Sequence, residues 1–163
     1  MDAGANDVTL DNTANDFTGA VSVTGNAVTL TDTNALDLGL IAADSLDVTA
    51  GGDVTQSAAL DIATTTTVDA GANDVTLDNT ANDFTGAVAV TGNAVTLTDT
   101  NALDLGSIAA DSLDVTAGGD VTQSAALDIA TTTIVDAGAN DVTLDNTAND
   151  FTCLLYTSPS PRD

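Results

Sequence analysis

Through its first 152 residues the chain has no cysteine, proline, tyrosine, lysine, arginine, glutamate, histidine or tryptophan. Each absence excludes something. Without cysteine there is no disulfide framework and no thiol chemistry. Without lysine or arginine there is nothing to neutralise phosphates, so nucleic acid is not a partner. Anionic membrane surfaces are excluded on the same ground. Without histidine or lysine no general base can activate a serine or threonine. Asp is the only acid, and the formal net charge is −24. A carboxylate pair for glycoside chemistry needs distinct proton affinities, often with a cation beside it. No such cation is present, and near-identical repeats would duplicate any site. The chain therefore reads as a non-enzyme. No apolar run approaches the roughly 18 residues of a spanning helix, so no membrane insertion is expected.

What is present is a repeat. "DAGANDVTLDNTANDFT" begins at Asp2, at Asp69 and at Asp136, a period of 67 residues. Residues 2–68 and 69–135 are full copies, and 136–152 is a partial one. The full copies differ at three places: Ser22 against Ala89, Leu40 against Ser107 and Thr67 against Ile134. Met1 stands where Val68 and Val135 stand in the later copies, as expected if a valine start codon is written as methionine and the protein continues upstream.

After Thr152 the composition changes. "CLLYTSPSPRD" holds the chain's only Cys, Tyr, Pro and Arg residues. Those eleven residues, 153–163, are similar to the translation of a transposase-type sequencing adapter. The expectation is a non-native, disordered tail, with Pro159 and Pro161 barring strand pairing.

Within a copy, "GANDVTL", "GNAVTL" and "GGDVTQ" each open a unit with a turn and an apolar–polar step. Val8/Leu10, Val28/Leu30, Leu36/Leu38, Leu46/Val48 and Leu60/Ile62 alternate with Thr9, Thr29, Asp37, Asp47 and Asp61. Period-two alternation is the strand signal. Three short strands in each unit of 20–25 residues fit an all-β parallel β-helix, or β-solenoid. About seven turns at the ~4.8 Å strand spacing would make a tube of roughly 30–35 Å. The lack of proline agrees, since inner strands donate to neighbours on both sides. The alternative is a string of antiparallel β-sandwich modules, one per 67 residues. That length is short for a sandwich, and Asn-Gly or Asp-Gly hairpin turns are missing.

Three turns per copy would stack Thr9, Thr29, Thr55, Thr76, Thr96, Thr122 and Thr143 in one column. It would also set Asp37 beside Asp61 and Asp104 beside Asp128, with Asp16 near the matching place in the first turn. Threonine columns on solenoids can bind ice, but the adjacent rank, Asp11, Thr31 and Ser57, does not keep a second threonine column. Asp is a hard ligand suited to Ca²⁺. No EF-hand loop or calcium β-roll nonapeptide is present, so only weak, diffuse Ca²⁺ association is expected. No residue is assigned a catalytic, cofactor-binding or metal-ligating role.

"SLDVTAGGDVTQSAALDIA" and "DFTGAVSVTGNAVTLTDTNALDLG" resemble repeats of large bacterial exoproteins, the filamentous-haemagglutinin-like and repeat-rich adhesin families. The resemblance covers residues 2–152. It implies a right-handed β-helical shaft, secreted to the cell surface of a Gram-negative bacterium, serving adhesion or biofilm. The implied partner is an unspecified host or cell-surface ligand. The strand edges of an isolated slice add possible end-to-end self-association.

Overall fold

The computed structural model describes residues 1–152 in full and the backbone of 154–157. It is all β. The strands run Val8–Leu10, Val21–Asp32, Leu36–Ala50, Val54–Gln56, Leu60–Ile62 and Thr66–Asp69 in the first copy. Val75–Leu77, Asp83–Phe84, Val88–Asp99, Leu103–Ala117, Val121–Gln123 and Leu127–Asp136 follow, then Asp150–Phe151 and Leu154–Thr157. Every strand pairing is parallel. Parallel neighbours close in sequence require the chain to circle back each time, so the strands stack as a β-solenoid of about eight turns. No antiparallel hairpin links the described segments, which removes the sandwich alternative. Among the described residues, no helix is long and apolar enough to cross a membrane.

Two columns of paired residues define the winding. One runs Val8, Val28, Leu46, Thr66, Val88. The other runs Leu36, Val54, Val75, Val95, Leu113, Thr133. From residue 36 to residue 133 is 97 residues in five steps, about 19 a turn. The expected 20–25 residues was too long, and the expected three turns per copy too few. Sixty-seven residues make three and a half turns. Val75, Val95, Leu113 and Thr133 are the second-copy equivalents of Val8, Val28, Leu46 and Thr66. They occupy the second column, while Val88 continues the first. Successive copies are thus related by a half rotation, and equivalent residues face opposite sides of the tube.

Alternation places the core where the sequence puts it. Val8, Val23, Val28, Leu30, Leu36, Leu38, Leu46, Val48, Val54, Leu60 and Ile62 are buried. Leu10, Phe17 and Val21 are only half-buried, whereas their equivalents Leu77, Phe84 and Val88 are fully buried. The first turn has a neighbour on one side; the second-copy residues have one on both. Phe17, Phe84 and Phe151 are therefore three and a half turns apart, not three. Leu36–Ala50 is one continuous strand of 15 residues where two short ones, at Leu36/Leu38 and Leu46/Val48, were expected. It bends without breaking, and the ladder shifts register between Val21 and Val23 to accommodate the bend.

The ladder was expected to stop at Thr152. Instead Leu154–Thr157 pairs with Thr132–Val135. An open parallel edge presents unpaired N–H and C=O groups to any following segment free of proline. The expectation for Pro159, Pro161 and Arg162 lies outside the described residues.

Candidate functional site

Polar side chains are organised by the winding. At one corner each copy sends an asparagine inward. Asn82 is fully buried. Its Oδ1 accepts from Gln56 Nε2 at 2.8 Å and from the Leu60 N–H at 3.0 Å. Its Nδ2 donates to Gln56 Oε1, Leu77 O and Thr98 O. The amide thus ties three turns together with its donors and acceptor all used. Asn149 repeats the contacts to Gln123, Leu127 and Leu144. Asn15, in the first turn, keeps only the bonds to Leu10 O and Thr31 O. Sequence reasoning missed this anchor. The available signal was the single glutamine in each full copy, Gln56 and Gln123.

Asp99 is also buried, at 2 % exposure. One oxygen accepts from the Phe84 N–H at 3.2 Å, while Oδ2 has no partner. Asp32 makes the equivalent bond to the Phe17 N–H and has the same orphan oxygen. Burial raises the Asp99 carboxyl above the usual carboxylate range, opposed by the Phe84, Thr100 and Asn101 N–H groups and reinforced by Asp83. A folded pKa above the unfolded value gives stability that is present below the unfolded value and lost as pH rises through the folded one. Asp7 and Asp74 act oppositely: hydrogen bonds first from Asn26 and Asn93, then from the Ala27 and Ala94 N–H groups, hold them low. Their contribution is lost only as pH falls below the usual carboxylate range. The melting temperature should therefore rise as pH drops from 7 towards about 4.5, just above the ~3.9 of an unperturbed Asp. Asp99→Asn, read by circular dichroism across that range, should flatten part of the rise; an unchanged slope would remove Asp99 as a contributor.

A shallow groove of 310 Å³ is lined by Asp16, Asn34, Asp37, Asp53 and Thr55 among others. Asn34 Nδ2 donates to Asp16 Oδ1 at 3.0 Å, and Asp53 Oδ1 accepts from the Asp74 N–H at 3.1 Å. These carboxylates hold turns together. Among the described residues no group of three or more acids is placed to hold a metal ion.

The register corrects two groupings. Thr29 stacks on Asp47, not on Thr55, and Thr55 stacks on Asp37. The threonine column is split between the two sides: Thr9 and Thr29 end at Asp47, while Thr55, Thr76 and Thr96 follow one another on the other side between Asp37 and Asp114. Asp37 does not meet Asp61, nor Asp104 Asp128. The stacked acids are Asp61 with Asp83 and Asp128 with Asp150. Asp61 and Asp128 instead lie over Ala42 and Ala109, five residues further along the strand than Asp37 and Asp104. Two unit charges one strand spacing apart repel by roughly 1 kcal/mol in water, and no described side chain is cationic. Raising NaCl shortens the screening length to about 3 Å at 1 M. The melting temperature should climb with NaCl or CaCl₂, with light scattering reporting more end-to-end association. A flat or falling melting temperature would show that these aspartates do not strain the stack.

No curated protein and no solved structure matches the chain. A family model described as repeats of unknown function (DUF5649) matches residues 1–24, 25–91 and 92–158. Two of the matched units, 25–91 and 92–158, have the length of the sequence period. The match covers nearly the whole chain, which belongs to this DUF5649 repeat family.

Proposed function

We propose that the chain is a segment of the structural shaft of a large secreted bacterial surface protein, serving adhesion or biofilm formation and carrying no catalysis. The observation that supports this most is the copy-to-copy junction. Val54 pairs with Val75, and Thr66–Asp69 with Val88–Thr91, in the same parallel ladder that stacks turns within a copy. A repeat that joins itself without a break makes a rod whose length is set by copy number alone. Such a rod suits holding something at a distance from a surface. The adhesin resemblance of residues 2–152 supports the surface assignment.

The test is length against copy number. Proteins with two, four and eight 67-residue copies should give rods that lengthen by about 17 Å per copy, three and a half strand spacings, in small-angle scattering. Surface placement is checked by protease shaving of the producing cells. Compact particles that do not lengthen linearly, or a protein protected inside intact cells, would refute the shaft reading.

A further inference from the structure

The three positions at which the copies differ come together in space. Thr67 is the register partner of Ala89 on the next turn. Ser107 lies one turn further on, where the ladder shifts between Leu105 and Ile108. Thr67, Ala89 and Ser107 all line one outer groove of 260 Å³, with Asp69 and Thr91. The same strip in the first copy joins Ser22 to Leu40, where Ser22 Oγ accepts the Leu40 N–H at 3.1 Å. Leu40 is 54 % exposed, and Ile134, which replaces Thr67 in the second copy, is 41 % exposed. Besides Met1 they are the only large apolar side chains so exposed among the described residues. Substitution is confined to this exterior strip, and at two of its three positions, Leu40/Ser107 and Thr67/Ile134, it exchanges a hydroxyl side chain and a bulky apolar one.

We propose that this strip is a ligand-binding surface that recurs once per 67 residues, and that its open form at Thr67, Ala89 and Ser107 takes a neutral saccharide unit. The lining carries the argument. Thr67, Thr91 and Ser107 are exposed, and their hydroxyls make no hydrogen bond among the described residues. Asp69 Oδ1 is fixed by the Gly71 N–H at 2.9 Å, leaving Oδ2 to accept from a ligand hydroxyl. Ala89 leaves room that a larger side chain would fill. Hydroxyls and one carboxylate around a small floor match a polyhydroxylated ligand. The charge of −24 excludes an anionic one, and a single carboxylate does not make a cation site. With no aromatic to stack on and a shallow floor, affinity is on the order of millimolar. In the first-copy form Leu40 projects where Ser107 stands, so that version of the strip is closed to the same ligand. The half-turn offset puts neighbouring strips on opposite faces of the rod.

The test uses the full chain, ¹⁵N-labelled, titrated with neutral gluco-, galacto- and manno-oligosaccharides and with a sialylated control. Saturable amide shifts are expected at 67–69, 89–91 and 107 with at least one neutral sugar and not with the sialylated one. Ser107→Leu, which installs the first-copy residue, should weaken binding at least tenfold without lowering the melting temperature. Thr116→Ile, an exposed threonine away from the groove, should leave binding unchanged. No saturable shift with any neutral sugar would mean that the three differences are drift at tolerant surface positions, and the proposal falls. Equal binding by Ser107→Leu would also overturn it. Either failure leaves the shaft reading untouched, since that rests on the ladder and not on the strip.

Discussion

Gly86→Ala should destabilise the solenoid by about 3 kcal/mol or more, while Gly19→Ala, at the identical position of the first copy, should change stability by less than about 0.5 kcal/mol. A Cβ built on Gly86 would overlap the Thr64 carbonyl oxygen and carbon. Thr64 cannot retreat, because its N–H and its hydroxyl both donate to Asp44 O. The obstacle is backbone, not the end of a flexible side chain. Gly19 meets nothing within 4 Å, since no turn stacks against it on that side. The paired substitutions thus isolate stacking from intrinsic glycine effects: the local sequence is the same and only the neighbouring turn differs. Thermal melts of the two variants check it, and equal shifts would show that Gly86 is not packed against the preceding turn.

Asn82→Ala should cost about 3–4 kcal/mol. The substitution leaves both ends of the Gln56 amide, the Leu60 N–H and the Leu77 and Thr98 carbonyls without this partner. These groups are buried or half-buried, and a buried polar group left unpaired costs roughly 1–3 kcal/mol. At ~2–4 °C per kcal/mol for a chain of this size, the melting temperature falls by about 10 °C. Asn15→Ala removes two bonds at the first turn and should cost about 1–2 kcal/mol. Urea denaturation separates the two, and a cost for Asn15→Ala equal to that for Asn82→Ala would contradict the three-turn clamp.

The strand alternation, the core and the parallel winding were legible in the sequence because burial on one face of a strand forces period two. Val28/Leu30 and Leu60/Ile62 announce themselves in this way. The length of a turn was not legible. "GANDVTL", "GNAVTL" and "GGDVTQ" look like one motif returning to one place. The tube has two broad faces of similar chemistry, however, and the motif does not keep to one of them: Val8 and Val28 share one column, while Val54 falls in the other. Nothing local distinguishes a full turn from a half one. Hence the misassigned threonine column and aspartate pairs. The buried amide was hidden for a different reason. Asn82 sits in "LDNTANDF", a polar stretch that reads as a surface turn, and its partner Gln56 is 26 residues away. As for a site, composition ruled out most chemistry, and the substitution strip became visible only when Thr67, Ala89 and Ser107 were placed on adjacent turns.

The register of Thr29 tests the account most directly. Three and a half turns per copy put Thr29 against Asp47, whereas three turns would put it against Thr55. In a Cys153→Ser background, cysteines at 29 and 47 stand one strand spacing apart, about 4.8 Å between Cα atoms, inside the 4.4–6.8 Å range of a disulfide. Mild oxidation of Thr29→Cys/Asp47→Cys should give a quantitative intramolecular disulfide by mass spectrometry, and Thr29→Cys/Thr55→Cys should give none. A disulfide in the second pair and not in the first would contradict the half-turn winding and everything derived from it.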